Sequence, residues 1–343
     1  MPAVRAAVPN PTNGVLVSEP RRAGPLRLAL LAALALGACA GASTAAAATT
    51  LSLVAYSTPQ EAYGKIIPAF EHTAAGRGVG FEQSYGSSGE QSRAVQSGLP
   101  ADVVAFSLEP DITRLVDDGL VAKGWNRGPT HGMVTDSVVV LAVRPGNPKK
   151  IHGWGDLLKP GVQIVVPNPS TSGGARWNVM AAYGAERKLG KSDAQALDYV
   201  NSLLKRVVVF DKSARESMQT FLGGKGDVLI AYENEAIAAR KSGAKLDYVV
   251  PSQTILIENP VAVVSSSSHK TQATAFVRFL TSPTAQRIFG QNGYRPVVKA
   301  VAAKFRFPQP KQLFTIASLG GWTKVNARFF DPTNGLVTKM LGG

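Results

Sequence analysis

The chain reads as an α/β protein of two lobes with a cleft between them. From residue 51 onward short apolar strands alternate with amphipathic helical stretches, the pattern of parallel strands covered by crossover helices. The longest β-branched run, 135–143, ends in Arg144-Pro145-Gly146, where a strand leaves one body and turns into another. A length of 343 residues with 45% apolar side chains is enough for two cores that need no disulfides.

The first lobe is expected to open with a strand at 51–56 and a helix at 61–72. A strand at 79–83, a helix from Ser88 and a strand at 101–106 follow, and 135–143 is the first crossing strand. The second lobe is then read as strand 162–166, helices 174–189 and 192–204, strand 207–210, helix 214–222 and strand 227–231. Residues 261–264 cross back, helices at 272–280 and 284–291 complete the first lobe, and a helix at 321–330 packs across it. The expected division is therefore 51–138 plus 258–343 for the first lobe and 139–257 for the second, with no internal repeat.

Residues 1–38 are a different kind of text. Arg21, Arg22 and Arg27 precede an apolar run at 28–36, which is shorter than the roughly 20 residues of a spanning helix and has the form of a secretory signal. The run ends in Leu36-Gly37-Ala38-Cys39, the form of a bacterial lipobox, and Cys39 is the only cysteine, so it has no internal disulfide partner. The expected mature chain begins at a lipidated Cys39, followed by a flexible tether at 39–50. Cleavage near the alanine run 45–48, leaving a free periplasmic protein, is the alternative, and Arg21-Arg22 leaves the general and twin-arginine export routes both open.

The formal charge is +14, and removing residues 1–38, which carry a net +3, leaves +11 on the exported part. That excess favours encounters with anions. The basic residues are scattered and no basic run is interleaved with aromatics, so nucleic acid is not the expected partner.

Four segments share one design, a strand end, then Ser/Gly-rich residues, then a helix start. They are Ala55-Tyr56-Ser57-Thr58-Pro59, Gln83-Ser84-Tyr85-Gly86-Ser87-Ser88-Gly89, Ser170-Thr171-Ser172-Gly173-Gly174-Ala175-Arg176-Trp177 and Asp211-Lys212-Ser213-Ala214-Arg215. Any one of them alone is ordinarily a capped helix start. Several helix N-termini aimed at one point make an anion site without an ionic partner, because their first N–H groups are unpaired and carry partial positive charge. None of the four loops places an acid at its apex, which suits an anion that offers only acceptors.

Further motifs stand in order beside these loops. They are Pro167-Asn168-Pro169 before Ser172-Gly173-Gly174-Ala175-Arg176-Trp177-Asn178, the run Gly226-Asp227-Val228-Leu229-Ile230-Ala231-Tyr232-Glu233-Asn234-Glu235, Tyr294-Arg295-Pro296, and Gly320-Gly321-Trp322. Together they resemble the sulfate- and thiosulfate-binding proteins of bacterial ABC importers, over about residues 51–330. The resemblance implies a two-lobed periplasmic-binding-protein fold of type II that closes on a dehydrated oxyanion held by uncharged donors. It implies ligand contacts at Ser57 and Ser88 from the first lobe. From the second lobe it implies the Ser172 hydroxyl, the Gly173, Gly174 and Ala214 backbone N–H groups and the Tyr232 side chain. Family members usually carry Asp in place of Ser57 and Trp in place of Tyr232. No catalytic residue, metal or cofactor is implied. The expected partners are the oxyanion, the importer's permease subunits and, through the lipid, the membrane, for a monomer on the outer face of the cytoplasmic membrane.

Arg176 and Arg215 are read as partners for carboxylates such as Asp211, Glu233 or Glu235 rather than as a clamp on the anion, and Trp154, Trp177 and Trp322 as packing residues. Molybdate, tungstate or phosphate are the alternative ligands, since a phenol at 232 both donates and accepts. From another class, an exported serine hydrolase would need a base near the serine-rich loops, and His72, His131, His152 and His269 lie outside them.

Overall fold

The computed structural model describes residues 49–342. The leader, the lipobox with Cys39 and most of the tether lie outside the described residues. Strand β1 (Thr49–Tyr56) starts two residues earlier than the sequence pattern indicates, because Thr49 and Thr50 pair with Val79 and Gly80 of β2 (Val79–Gly86). Helix α1 (Gln60–Glu71) joins the two, α2 (Ser88–Gln96) leads to β3 (Val103–Ala105), and α3 (Glu109–Asp117) follows. The register sets Tyr56 beside Gly86 and Ala55 beside Ala105, so all three parallel strands end at one edge of the sheet.

The second lobe repeats this device. Strand β4 (Met133–Val143) enters it, and β5 (Ile164–Pro167), α4 (Gly173–Lys188), α5 (Asp193–Leu204), β6 (Val207–Asp211), α6 (Ala214–Leu222), β7 (Val228–Tyr232) and α7 (Glu233–Lys241) build it. Strands β5, β6 and β7 are parallel, with Pro167 beside Asp211 and Val165 beside Leu229, and again their ends share an edge. In open α/β sheets that edge is where ligands are held.

Two eleven-residue strands belong to both lobes. The first half of β4 pairs with β9 (Gln253–Val263), preceded by the short β8 (Asp247–Val249), while Val139–Val143 pair with β7. Strand β9 pairs with β3 at its far end, so the return crossing begins at Gln253, eight residues before the apolar run at 261–264 that marks it in the sequence. Helices α8 (Lys270–Leu280) and α9 (Pro283–Gln291) cover the first lobe, where Phe276 and Phe289 pack on Tyr63 and Phe70.

The remaining chain departs from expectation. After β10 (Arg295–Pro296) and α10 (Lys299–Ala302), strand β11 (Gln312–Phe314) pairs with the second-lobe end of β9. Helices α11 (Gly321–Phe329) and α12 (Leu336–Met340) then pack mainly on the second lobe, with α11 also touching α3 of the first. The cause is aromatic: Trp322 sits edge-on to Trp177 at 4.6 Å and Phe329 edge-on to Tyr183 at 4.9 Å. The first-lobe assignment of 258–343 therefore stops short of these elements. No described helix is long and apolar enough to cross a membrane.

If the C-terminal segment is part of the second-lobe core, Trp322→Ala should cost about 3–5 kcal/mol of unfolding free energy. Urea denaturation measures this, and a loss below about 1 kcal/mol is what a loosely attached surface helix would give.

Candidate functional site

Between the two strand edges lies a small cavity lined by Tyr56, Ser57, Thr58, Gly86, Ser87, Ser88, Ser107, Ser172, Gly174, Ser213, Ala214 and Tyr232. Its volume is about 10 Å³, on the order of one water-sized sphere. A small inorganic group is the size it can hold. Six of the seven residues singled out from sequence, Ser57, Ser88, Ser172, Gly174, Ala214 and Tyr232, line it, and Gly173 does not.

Six helices begin at this cavity, three from each lobe. Ser57 and Thr58 precede α1, Ser87 stands at the N-cap position of α2, and Ser107 lies two residues before α3. Ser172, Ser213 and Tyr232 occupy the N-cap positions of α4, α6 and α7. The starts of α3 and α7 add two helix ends to the four Ser/Gly loops. Each contributes unpaired N–H groups and the positive end of its dipole. No lining residue is ionised at neutral pH, so the attraction for an anion comes from dipoles.

The hydroxyls divide their work. Ser172 Oγ accepts only a long bond from the Ala175 N–H, 3.4 Å, which leaves its proton for the cavity. Ser88 Oγ donates to Asp111 Oδ2 at 2.6 Å and accepts from the Ser107 N–H at 2.9 Å, so what Ser88 offers the cavity is its backbone N–H. The Tyr232 hydroxyl shares a 3.0 Å bond with Ser107 Oγ, and burial, chiefly, holds its pKa well above the ordinary tyrosine value. Tyr232 therefore stays protonated, and when Ser107 donates to it the phenol proton is free for the cavity.

The lobes meet tightly around the cavity. Across this seam the Gly89 N–H donates to Thr171 O at 3.0 Å, Trp177 Nε1 donates to Ser107 O at 2.8 Å, and Arg215 grips the first lobe. A Cβ at Gly89 would lie 2.8 Å from Thr171 O, and one at Gly173 would lie 2.3 Å from Leu108 Cδ2. These two glycines serve contact between lobes, and Gly173 is in the motif for that reason.

Arg215 has a carboxylate partner, though not one of the three named from sequence, and Arg176 departs from expectation. Arg215 forms a bidentate pair with Glu61 of the opposite lobe, both N···O distances 2.6 Å, and donates to Ser57 O. Arg176 has no carboxylate within ion-pair distance among the described residues, and donates instead to Pro169 O and Asn326 Oδ1. Glu233 pairs with Arg295 at 2.7 Å, and Asp211 accepts from Ser217 and Thr220. Trp177 is a packing residue as expected, with its indole N–H used on the seam.

Ser107 is the cavity residue that the sequence pattern passes over. Its hydroxyl meets Tyr232, its carbonyl accepts from Trp177 and from Asn259 Nδ2 at 2.9 Å, and its N–H meets Ser88. The available signal is Pro110 in the first turn of α3, which marks a fifth strand-to-helix junction.

Comparison with known proteins follows from this geometry. The family model for bacterial extracellular solute-binding protein matches residues 51–295. A sulfate-binding protein of Synechococcus elongatus is 46% identical over 82% of this chain and 83% of its own length. A thiosulfate-binding protein of Pseudomonas aeruginosa is 38% identical over 88% of this chain and 93% of its own. Among solved structures, the sulfate-binding protein SubI from Mycobacterium tuberculosis superposes with a TM-score of 0.81 at 48% identity, covering 82% of this chain and all of SubI.

Two outcomes are expected from the geometry. Gly89→Ala should weaken ligand binding by about tenfold or more, because a clash with backbone cannot be relieved by a rotamer change. Thermal stability of the ligand-free protein should hold, and isothermal calorimetry beside a melting curve reads both. The second outcome concerns Glu235, buried behind Tyr232 and pushed up from 4.5 to about 7, mainly by burial. Between those pH values the folded chain holds a proton that the unfolded chain releases, so stability falls as pH rises through the window and is unaffected by this group below it. Asp136, likewise pushed up to about 7 by burial, adds to the slope. Glu235→Gln should flatten part of the decline in melting temperature between pH 5 and 7.5, and an unchanged slope would show that Glu235 does not titrate there.

Proposed function

The chain belongs to the bacterial extracellular solute-binding proteins, among their sulfate- and thiosulfate-binding members, and on that premise we propose how this cavity selects and delivers its ligand. The lobes close on a sulfate or thiosulfate dianion, and the closed, loaded form presents it to the permease subunits of an ABC importer. The observation that carries the choice of ligand is a cavity wall of hydroxyls and helix N-termini with no carboxylate in it.

An acceptor-only dianion meets donors on every side there. A hydrogen phosphate would bring a proton with no carboxylate to receive it, and a buried unsatisfied donor costs about 1–3 kcal/mol. Three acids accept hydrogen bonds from lining residues and none is itself in the wall: Glu90 is occupied by the Ser87 hydroxyl at 2.6 Å. Asp111 is occupied by Ser88 and Arg114, and Glu235 is held behind the Tyr232 N–H at 3.4 Å. Tyr232 in place of the usual indole keeps a donor at this position.

Hydrogen bonds to a charged group contribute about 1.5–3 kcal/mol each. Even heavily discounted for desolvation, some seven of them leave the roughly 8 kcal/mol of micromolar binding. The protein's task is reading as binding rather than turnover. No histidine lines the cavity, and the carboxylates that do meet its serines, Asp111 at Ser88 and Glu90 at Ser87, form pairs without the histidine of a serine hydrolase's relay. Attachment of a lipid at Cys39 and a monomeric state belong to this proposal and are supported by the sequence alone. Incorporation of a labelled fatty acid that is lost in Cys39→Ser tests the anchor.

Titration calorimetry with sulfate, thiosulfate, molybdate and phosphate side by side tests the ligand. Sulfate or thiosulfate should bind most tightly, and exclusive binding of molybdate would overturn the reading. Ser172→Ala and Tyr232→Phe should each weaken sulfate binding by more than about 1 kcal/mol, since each strands a desolvated lone pair. Wild-type affinity in both would remove these side chains from the site.

A further inference from the structure

Beyond the seam made by Gly89 and Thr171 lies a second interlobe pocket of about 400 Å³, of a different character from the cavity. Arg93 from α2 and Arg114 from α3 reach it from the first lobe, and Arg176 from α4 reaches it from the second. Phe330, Val337 and Leu341 form its opposite wall, and no lining residue is acidic.

The charges are not balanced locally. The Arg93 guanidinium has no hydrogen-bond or carboxylate partner among the described residues. Arg176 stacks on the Phe330 ring at 5.2 Å and is held by neutral acceptors only. Arg114 alone has an ionic partner, Asp111 at 3.1 Å, whose second oxygen is taken by Ser88. Burial lowers the pKa of Arg176, and Arg114 and Arg93 depress it further against the pull of Asp111. Closing the lobes therefore gathers three guanidinium groups around one carboxylate, and that repulsion opposes closure unless an anion joins them.

We propose that this pocket is a second anion site for a small organic oxyanion. Its phosphate, sulfate or sulfonate head meets Arg93, Arg114 and Arg176, and its apolar body lies against Phe330, Val337 and Leu341. The volume falls among small-molecule sites, about 300–1,000 Å³, and far exceeds the primary cavity. Planar guanidinium groups with free N–H donors suit a three-oxygen head. Because the arginines come from both lobes, an anion here binds the closed form preferentially. By reciprocity it must tighten binding in the primary cavity by the factor by which primary ligand tightens the pocket.

This linkage rests on the sulfate reading, and the test separates the two. Phenyl phosphate, too large for the primary cavity, is titrated by calorimetry into wild-type protein saturated with sulfate, with benzyl alcohol as uncharged control. Saturable one-to-one binding of phenyl phosphate is expected, weakened on the order of tenfold in Arg93→Gln and in Arg176→Gln. Sulfate should bind about two- to threefold more tightly at saturating phenyl phosphate. Absence of binding, or binding indifferent to both substitutions, overturns the proposal. Should sulfate itself not bind, the functional reading fails, while the isotherms of wild type and Arg93→Gln without sulfate still decide whether the pocket is an anion site.

Discussion

An anion buried without a counter-ion has to be held by dipoles, and dipoles act only at contact. That constraint organises the molecule. Six helices must begin at one point, so the strands before them must end at one edge, and two such edges must face each other. The parallel registers of β1 with β2 and β3, and of β5 with β6 and β7, supply the edges. The shared strands β4 and β9 let the edges meet. Had the site relied on ionised side chains, one long arginine from either lobe could have reached the ligand, and the convergence would be unnecessary.

The same constraint explains the seam. Short-range donors demand full closure, and full closure demands residues without bulk where the lobes touch, which is the place of Gly89 and Gly173. Ser107 ties the closure to the chemistry. It receives Trp177 from the second lobe at its carbonyl and shares a hydrogen bond with the Tyr232 hydroxyl, so both contacts form only when the lobes are together. The bidentate pair of Arg215 with Glu61 lies at the half-exposed rim, where screening keeps its contribution small, and it serves alignment more than affinity.

Much of the site was legible because its residues act through local structure. A serine or glycine between a strand and a helix announces an N-terminus, and Ser57, Ser88, Ser172, Gly174 and Ala214 were found that way or through motifs containing them. Ser107 escaped although the strand before it was read, because its loop carries no glycine and only one serine. Tyr232 was reached only through resemblance, because Tyr232-Glu233 has no turn signature. Long-range choices were the least legible. Amphipathicity says that the 321–330 helix has a buried face but not which lobe buries it, and only the pairing of Trp322 with Trp177 decides. The identity of the arginine partners was hard to read for the same reason: Glu61 lies far away in sequence and on the opposite lobe, and Arg176 meets no carboxylate among the described residues.

The central claim is that backbone amides and hydroxyls from both lobes, not arginines, hold the anion. Amide and guanidinium resonances followed by nuclear magnetic resonance during a sulfate titration test it most directly. The account predicts large downfield proton shifts at the Ser88, Gly174 and Ala214 amides, from both lobes at once, with the Arg215 guanidinium little changed. Shifts concentrated at Arg176 and Arg215, with those amides unmoved, would contradict it.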